Sequence, residues 1–301
     1  MNRRAGPGRR GGRVAGGWRA WAGRERLASA LQLFPALAFL SAFLLAPLAV
    51  FFVYSFWVTE SYRLVPAWTL ANYRVALTEP AYRSLLANTF EIAGTVALST
   101  VAVAYATAHA MRFPLRHIQE RLLFVLVVAL FSGYLVRIYA WRTILGNQGI
   151  VNEALLRLGI VDEPLSFLLF SRPATILVLT NLLIPLAVLP IYGALQNVQE
   201  EHVQAAQDLG ASPLGAFARV TLPLAWQGIA SAFALSFIIA AGDYVTPQLV
   251  GGTSGAMIGR AIADTFGVTF AWPRGSALAF TTLAITLAVL AGLRQVRRLL
   301  P

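Results

Sequence analysis

Two carboxylates, Glu91 and Asp243, interrupt otherwise apolar stretches of this chain. Aromatic residues are available to both: Tyr244 directly follows Asp243, and Tyr139 and Trp141 stand in a third apolar stretch. Carboxylates attract ammonium groups by charge and ring faces attract them through the quadrupole. These five residues are therefore the candidates for a path that a cationic amine could follow. Other roles are open to each. Asp243 can cap a helix or pair with Arg137 or Arg142, Tyr139 and Trp141 can anchor a helix at a membrane interface, and Glu91 can reach lipid headgroups. Asn181, alone in its apolar run, suits a hydrogen bond between helices. Around Asp243, the residues Gly242, Pro247, Gly251 and Gly252 mark a turn, because glycine permits sharp backbone angles and proline stops a helix from continuing. They suit an outer loop that either gates the path or merely connects two spans.

Other chemistries lack their residues. The chain has no Cys, and its three His (His109, His117, His202) are scattered without the spacing of metal ligands. All 24 basic residues are Arg, whereas a Walker A loop needs a Lys to reach the β- and γ-phosphates. ATP hydrolysis, if coupled to this chain, belongs to a partner. No carboxylate pair or Ser/His constellation sits at membrane depth, so an intramembrane enzyme finds no support.

The elements that must carry these residues follow from composition. With 57% hydrophobic and 12% charged residues, the chain reads as an all-α polytopic membrane protein, since about 20 apolar helical residues cross a hydrocarbon core. Six spans are expected, at about 34–57, 88–111, 122–145, 174–195, 224–245 and 276–293. Residues 1–33, rich in Arg and Gly, are expected to be a disordered tail on the cytoplasmic side, and 34–298 to form the membrane domain. An N-in, C-in arrangement keeps eight tail Arg, Arg112, Arg116, Arg121, Arg219, Arg294, Arg297 and Arg298 inside. Only Arg63, Arg74, Arg83, Arg157, Arg172, Arg260 and Arg274 then lie outside, which is the expected bias. The net charge of +11 thus reports orientation and attraction to anionic lipid rather than a nucleic-acid site. Arg137 and Arg142 fall inside the third expected span and must face protein or water.

Between the fourth and fifth spans, residues 198–223 form a polar insert with clear helix punctuation. A first helix runs toward Leu209, Gly210 is placed to take the left-handed conformation that ends it, Ser212 suits an N-cap and Pro213 a first helical position. A second short helix is expected to run toward Val220, with Pro223 closing it and opening the next span. Ala205 and Ala206 would let another protein approach the backbone closely. An ordinary amphipathic surface helix is the competing reading.

These residues resemble the EAA loop of ATP-binding-cassette (ABC) importer permeases, whose pattern is Glu-Ala-Ala, three residues, Gly, nine residues, Ile, one residue, Leu-Pro. The chain supplies Gln204, Ala205, Ala206, Gly210, Val220, Leu222 and Pro223 at that spacing, with Gln for the Glu and Val for the Ile. The segments Thr69–Arg74, Arg137–Arg142 and Gly242–Gly252 are similar to those of spermidine/putrescine-type permeases. The resemblance implies a type I ABC importer permease fold in a bacterial inner membrane. It also implies a coupling loop in which Gln204, Ala205, Ala206, Asp208, Leu209, Gly210, Val220, Leu222 and Pro223 engage a cytoplasmic ATPase dimer. The further implied partners are a second, distinct permease subunit and a periplasmic or extracellular solute-binding protein, with ATP and Mg held by the ATPase and no cofactor on this chain. The implied cargo is a polyamine. The same machinery for ferric iron, a phosphonate, an opine or an amino acid is the alternative. A secondary transporter or channel without an ATPase is the rival from another class, although no internal repeat of the kind common in such proteins is evident.

Overall fold

The computed structural model describes residues 14–296. The chain divides into two units, Met1–Val53 and Tyr54–Pro301. In the first, one helix dominates: α1 (Val14–Tyr54) carries an apolar segment, Gln32–Tyr54, of mean hydropathy 2.5. Side chains from Gln32 to Val50 are exposed, and a surface so apolar is stable in lipid. Residues 14–33, expected to lack structure, are helical instead. Although Gly16, Gly17 and Gly23 lie within it, the segment is rich in Ala, Leu and Arg, which are good helix formers. The rest of the expected tail, residues 1–13, lies outside the described residues.

The second unit opens with a ribbon, β1 (Val58–Glu60) and β2 (Arg63–Val65), antiparallel with Thr59 opposite Leu64. Its two-residue turn holds Ser61 and Tyr62 at φ 49° and 63°, the signature of a type I′ hairpin turn. Next comes α2 (Ala71–Thr78), whose lead-in is pinned locally. The Asn72 amide donates to the carbonyls of Ser55 (3.0 Å) and Trp57 (2.7 Å), and the Tyr73 hydroxyl meets that of Ser55 at 2.8 Å. The motif Thr69–Arg74 thus serves as an anchor.

The heart of the unit is three long helices, α3 (Pro80–Arg112), α7 (Arg172–Leu195) and α10 (Leu222–Gly242), which pack most extensively with one another. One cluster joins Ile92, Val96, Val178, Leu182 and Phe237; a second joins Ala104, Ala108, Val188, Ile191 and Ala232. Small residues bring these backbones close, as membrane helices require where no hydrophobic effect drives association. At Gly228 the approach is tightest, since a Cβ there would lie 2.4 Å from the Pro190 carbonyl oxygen and 2.6 Å from the Ala194 Cβ. α3 starts eight residues earlier than the hydropathy of 88–111 indicates. Pro80 is pre-organised for a first helical position, and Leu86 packs with Ala76, Ile258 and Leu278.

The third expected span is not one helix. α4 (Gln119–Phe131) and α5 (Tyr134–Leu145) meet at Ser132–Gly133, where the backbone is extended, with ψ 130° and 128°, and the two arms are bent by 94°. Averaged over 122–145 the run stays apolar despite Ser132, Gly133, Arg137 and Arg142, and hydropathy does not register a change of backbone angle. Five described helices are long and apolar enough to cross a membrane, or six with the bent pair taken as one span. Completing the unit are α6 (Ile150–Arg157), α8 (Glu200–Asp208), α9 (Pro213–Ala216), α11 (Ile258–Gly267) and α12 (Trp272–Val296).

Candidate functional site

The insert after α7 begins with an anchor. Arg112, at the end of α3, donates through Nε to the Leu195 carbonyl and through Nη2 to the Val198 carbonyl, each at 3.3 Å. A guanidinium at the end of α7 satisfies carbonyls that have no intrahelical donor and complements the negative end of the helix dipole. From that point α8 runs to Asp208. It ends as the residue order dictates: Gly210 takes φ +88°, its N–H reaches the Gln207 carbonyl at 2.8 Å, and the Ala211 N–H reaches that of Ala206 at 3.0 Å. This pair of bonds is the Schellman arrangement. The Ser212 hydroxyl then accepts from the Gly215 N–H at 3.1 Å, with Pro213 at the first helical position.

Beyond Pro213 the fold departs from the expectation. Pro223 does not close the second helix. α9 runs through a π-helical turn, Phe217–Thr221, directly into α10, so that Pro213–Gly242 is one continuous helical rod. The Leu222 N–H reaches back five residues to the Phe217 carbonyl. A proline supplies no N–H and its ring crowds the carbonyl four residues earlier; the wider π turn shifts the register just where Pro223 would otherwise break it.

The nine loop positions consequently fall into two groups. Gln204, Ala205, Asp208, Leu209 and Gly210 are exposed, with Ala206 half-buried beside them, whereas Val220, Leu222 and Pro223 are half-buried in the rod. Leu209 is 90% exposed and Leu214, which the sequence motif does not single out, is 75% exposed. Two bare leucines flanking a glycine turn make an apolar knob, while the rod residues fix its direction. Behind the knob, a cavity of about 260 Å³ is lined by His109, Phe113, Glu200, Gln204, Phe217 and Thr221. Tyr105 and Phe217 meet edge to face at 5.8 Å, and His109 packs on Phe113 at 4.7 Å.

The five candidate path residues do not converge. Glu91 forms an ion pair with Arg172. Asp243 ends α10 in extended conformation, φ −77° and ψ 133°, and its Oδ1 accepts from the N–H groups of Val245 (2.9 Å) and Thr246 (3.4 Å). Its Oδ2 accepts from the Tyr134 hydroxyl at 2.6 Å, and that hydroxyl also meets the Thr246 Oγ1 at 2.9 Å. The carboxylate is thus a helix cap and the partner of a tyrosine that sequence reading missed. Trp141 donates through Nε1 to the Asn181 Oδ1 at 3.0 Å, the interhelical role expected of Asn181. Tyr139 and Tyr244 are the two candidates whose rings stay exposed. Arg137 faces protein, donating to the Leu182 carbonyl at 3.3 Å in the turn before Pro185, and its Nε is buried without a partner. The Arg142 guanidinium lies over the Phe170 ring at 5.7 Å.

Of the glycines expected in the outer loop, Gly242 has open space around it and no positive φ, so the turn is made by Asp243 instead. Pro247 begins a π turn, Pro247–Gly251, and Gly252 needs to be glycine. Its φ is +57°, and a Cβ would lie 2.2 Å from the Phe170 carbonyl oxygen. A Cβ at Gly251 would come within 2.8 Å of the Thr175 hydroxyl. The segment is stitched to α3 as well: the Asn88 amide donates to the carbonyls of Ser254 (3.0 Å) and Ala256 (2.6 Å), and the Thr89 hydroxyl accepts from the Ile258 N–H at 2.8 Å. No metal-binding group of three His, Asp or Glu occurs among the described residues.

Comparison with known proteins agrees with this architecture. The family described as binding-protein-dependent transport system inner membrane component matches residues 24–299. The spermidine/putrescine transport system permease protein PotB of Salmonella typhimurium (strain SL1344) is 33% identical over 225 residues, covering 75% of this chain and 76% of that protein. PotB of Escherichia coli (strain K12) is 32% identical over 225 residues, covering 75% of this chain and 79% of its own. The inner membrane ABC transporter permease protein YdcU of Escherichia coli (strain K12) is 31% identical over 240 residues, covering 75% of each. Among solved structures, a chain of a bacterial ABC transporter involved in the import of the acidic polysaccharide alginate superimposes with a TM-score of 0.72. That match is at 15% identity and covers 93% of this chain and 98% of the other; at such identity it speaks for the fold. The chain belongs to the family of binding-protein-dependent transport system inner membrane components, as a multi-pass, non-catalytic permease subunit of an ABC importer.

Proposed function

We propose that this permease carries a polyamine or a closely related cationic amine. The observation that supports this cargo most directly is the 33% identity to a spermidine/putrescine permease across three quarters of both chains. The exposed rings of Tyr139 and Tyr244 supply the faces on which an alkylammonium chain can slide. A small anionic solute is the second reading, favoured by Arg137, whose buried Nε has no partner.

The knob around Gly210 is the coupling element. Leu209, Gln204, Ala205, Ala206 and Asp208 meet a cytoplasmic ATPase, which works as a dimer and holds the ATP and Mg. Val220, Leu222 and Pro223 transmit its motion through the rod into α10. A second, distinct permease completes the path, a periplasmic solute-binding protein delivers the cargo, and both ends of this chain face the cytoplasm. Segment 242–252 forms the gate at the end of α10 remote from the knob.

The test is uptake of labelled putrescine and spermidine by proteoliposomes holding the assembled importer and its cognate binding protein, with phosphonate, ferric iron and an amino acid as competitors. ATP-dependent uptake of the amines alone supports the reading. Uptake of a competitor in their place rejects the cargo. Uptake that persists without any ATPase rejects the coupling.

A further inference from the structure

Two breaks in this fold are joined by one side chain. The first is the extended pair Ser132–Gly133 between α4 and α5, and the second is the extended Asp243 that ends α10. Tyr134 is the first residue after the first break, and its hydroxyl bridges Asp243 and Thr246 at the second, across more than a hundred residues of sequence. Thr246 is fully buried, so its position is fixed by packing. By contrast the first break is open, with Phe131 87% exposed and Ser132 and Gly133 exposed beside it. Lipid cannot hydrogen-bond a non-helical backbone, which is tolerated at membrane depth only against protein or a water-filled cavity. The break therefore borders water or a partner subunit. Extended residues at the ends of helices are also where a chain absorbs the changes of φ and ψ that accompany domain motion.

We infer that Tyr134 is a positioning residue for alternating access. Its hydroxyl latches the bend of the third span to the end of α10 in one access state and releases it in the other. Asp243 and Thr246 are the fixed half of the latch, and the exposed bend at Ser132–Gly133 with the α4 arm before it, which buries no residue, is the moving half. The phenol serves because it presents a donor to the carboxylate and remains close enough to Thr246 to be oriented by it. This inference depends on the chain being an importer permease and is independent of the cargo.

The experiment uses the assembled importer in liposomes with Ser132→Cys as a reporter, which is direct in a chain that has no Cys of its own. The rate at which a water-soluble maleimide labels this chain is measured with and without ATP, together with ATP hydrolysis in the absence of cargo. Different rates in the two conditions are expected for the parent, and equal rates there would overturn the latch because the break would not move. Tyr134→Phe keeps the ring and removes the hydroxyl. A bond to a charged acceptor that exists in one state only biases the equilibrium on the order of tenfold. In Tyr134→Phe the rate in the latched condition should therefore move to that of the other, and cargo-free hydrolysis should rise, with assembly intact. Parental rates in Tyr134→Phe would overturn the proposal. If that variant fails to assemble, Thr246→Val decides: a smaller shift in the same direction supports the latch, and parental rates overturn it.

Discussion

The turn at Gly210 and the break at Gly133 both interrupt helical structure, yet they are held in different ways. At Gly210 every bond that makes the turn is local: Gly210 to Gln207, Ala211 to Ala206, Gly215 to Ser212. At Gly133 the local bonds, Ser132 to Ala129 and Arg137 to Gly133, only close the two flanking helix ends, and the angle between the arms is held from a distance by Tyr134 on Asp243 and Thr246 and by Arg137 on the Leu182 carbonyl. The first arrangement can form before the rest of the chain is in place; the second exists only once α7 and α10 have packed. An element that must present a fixed knob to a partner gains from the former. One that must move between two states gains from the latter, because a few long-range bonds can be exchanged without unravelling a helix.

Two glycines give the sharpest test of this contrast, since both have a positive φ. Gly252→Ala should be the more damaging, because its Cβ would lie 2.2 Å from the backbone oxygen of Phe170 in addition to the left-handed strain. Thermal unfolding of the purified complex is expected to show loss of the folded form. At Gly210 a Cβ would meet nothing within 4 Å, so only backbone strain is felt, about 1–2 kcal/mol for an ordinary residue and more for a β-branched one. Gly210→Val is therefore expected to insert normally yet to abolish cargo-stimulated ATPase activity, whereas Gly210→Asn, which tolerates the left-handed region, should retain it.

Third in size is Asp243. Were it a free carboxylate waiting for a cation, Asp243→Glu would preserve uptake better than Asp243→Asn. As a cap and latch partner it should tolerate neither change, because the longer side chain cannot reach its own Val245 and Thr246 N–H groups and the amide places a donor toward Tyr134. Uptake rates of the two variants should be alike and well below the parent, the loss of a bond to a charged acceptor being worth about 1.5–3 kcal/mol. Ser212→Ala should follow, at about 1 kcal/mol for a lost N-cap, read as faster hydrogen exchange at 214–216. Smallest of all is Gln204→Glu. It sets a second carboxylate one turn after Glu200, a like-charge pair costing about 0.2–0.5 kcal/mol, and pull-down should find the ATPase still bound.

Most of the long helices and the whole knob can be read from the sequence for the same reason. Hydropathy averaged over a span reports whether a helix can lie in lipid, and the knob's Gly, Ser and Pro act on neighbours within five residues. The misreadings share a reason too. The run 122–145 stays apolar on average across Ser132 and Gly133, so its 94° bend does not stand out in hydropathy, and Pro223 looks like a terminator because a π turn cannot be seen in residue types. For Glu91 and Asp243 several roles stay open in the sequence, a cap among them for Asp243, because an isolated carboxylate in an apolar stretch demands a partner and the residue types do not say which. The partners turned out to be Arg172 and Tyr134.

The sequence by itself therefore determined that this chain lives in a membrane, that it carries a polar loop with a left-handed turn at Gly210, and that it brings no Lys for ATP. These properties reside in composition and in contacts between near neighbours. Tertiary structure alone decided which carboxylates are occupied, where the third span bends and which side chain bridges its two breaks. Those depend on atoms brought together across 81 to 112 residues, and only the packing of α3, α7 and α10 sets such distances.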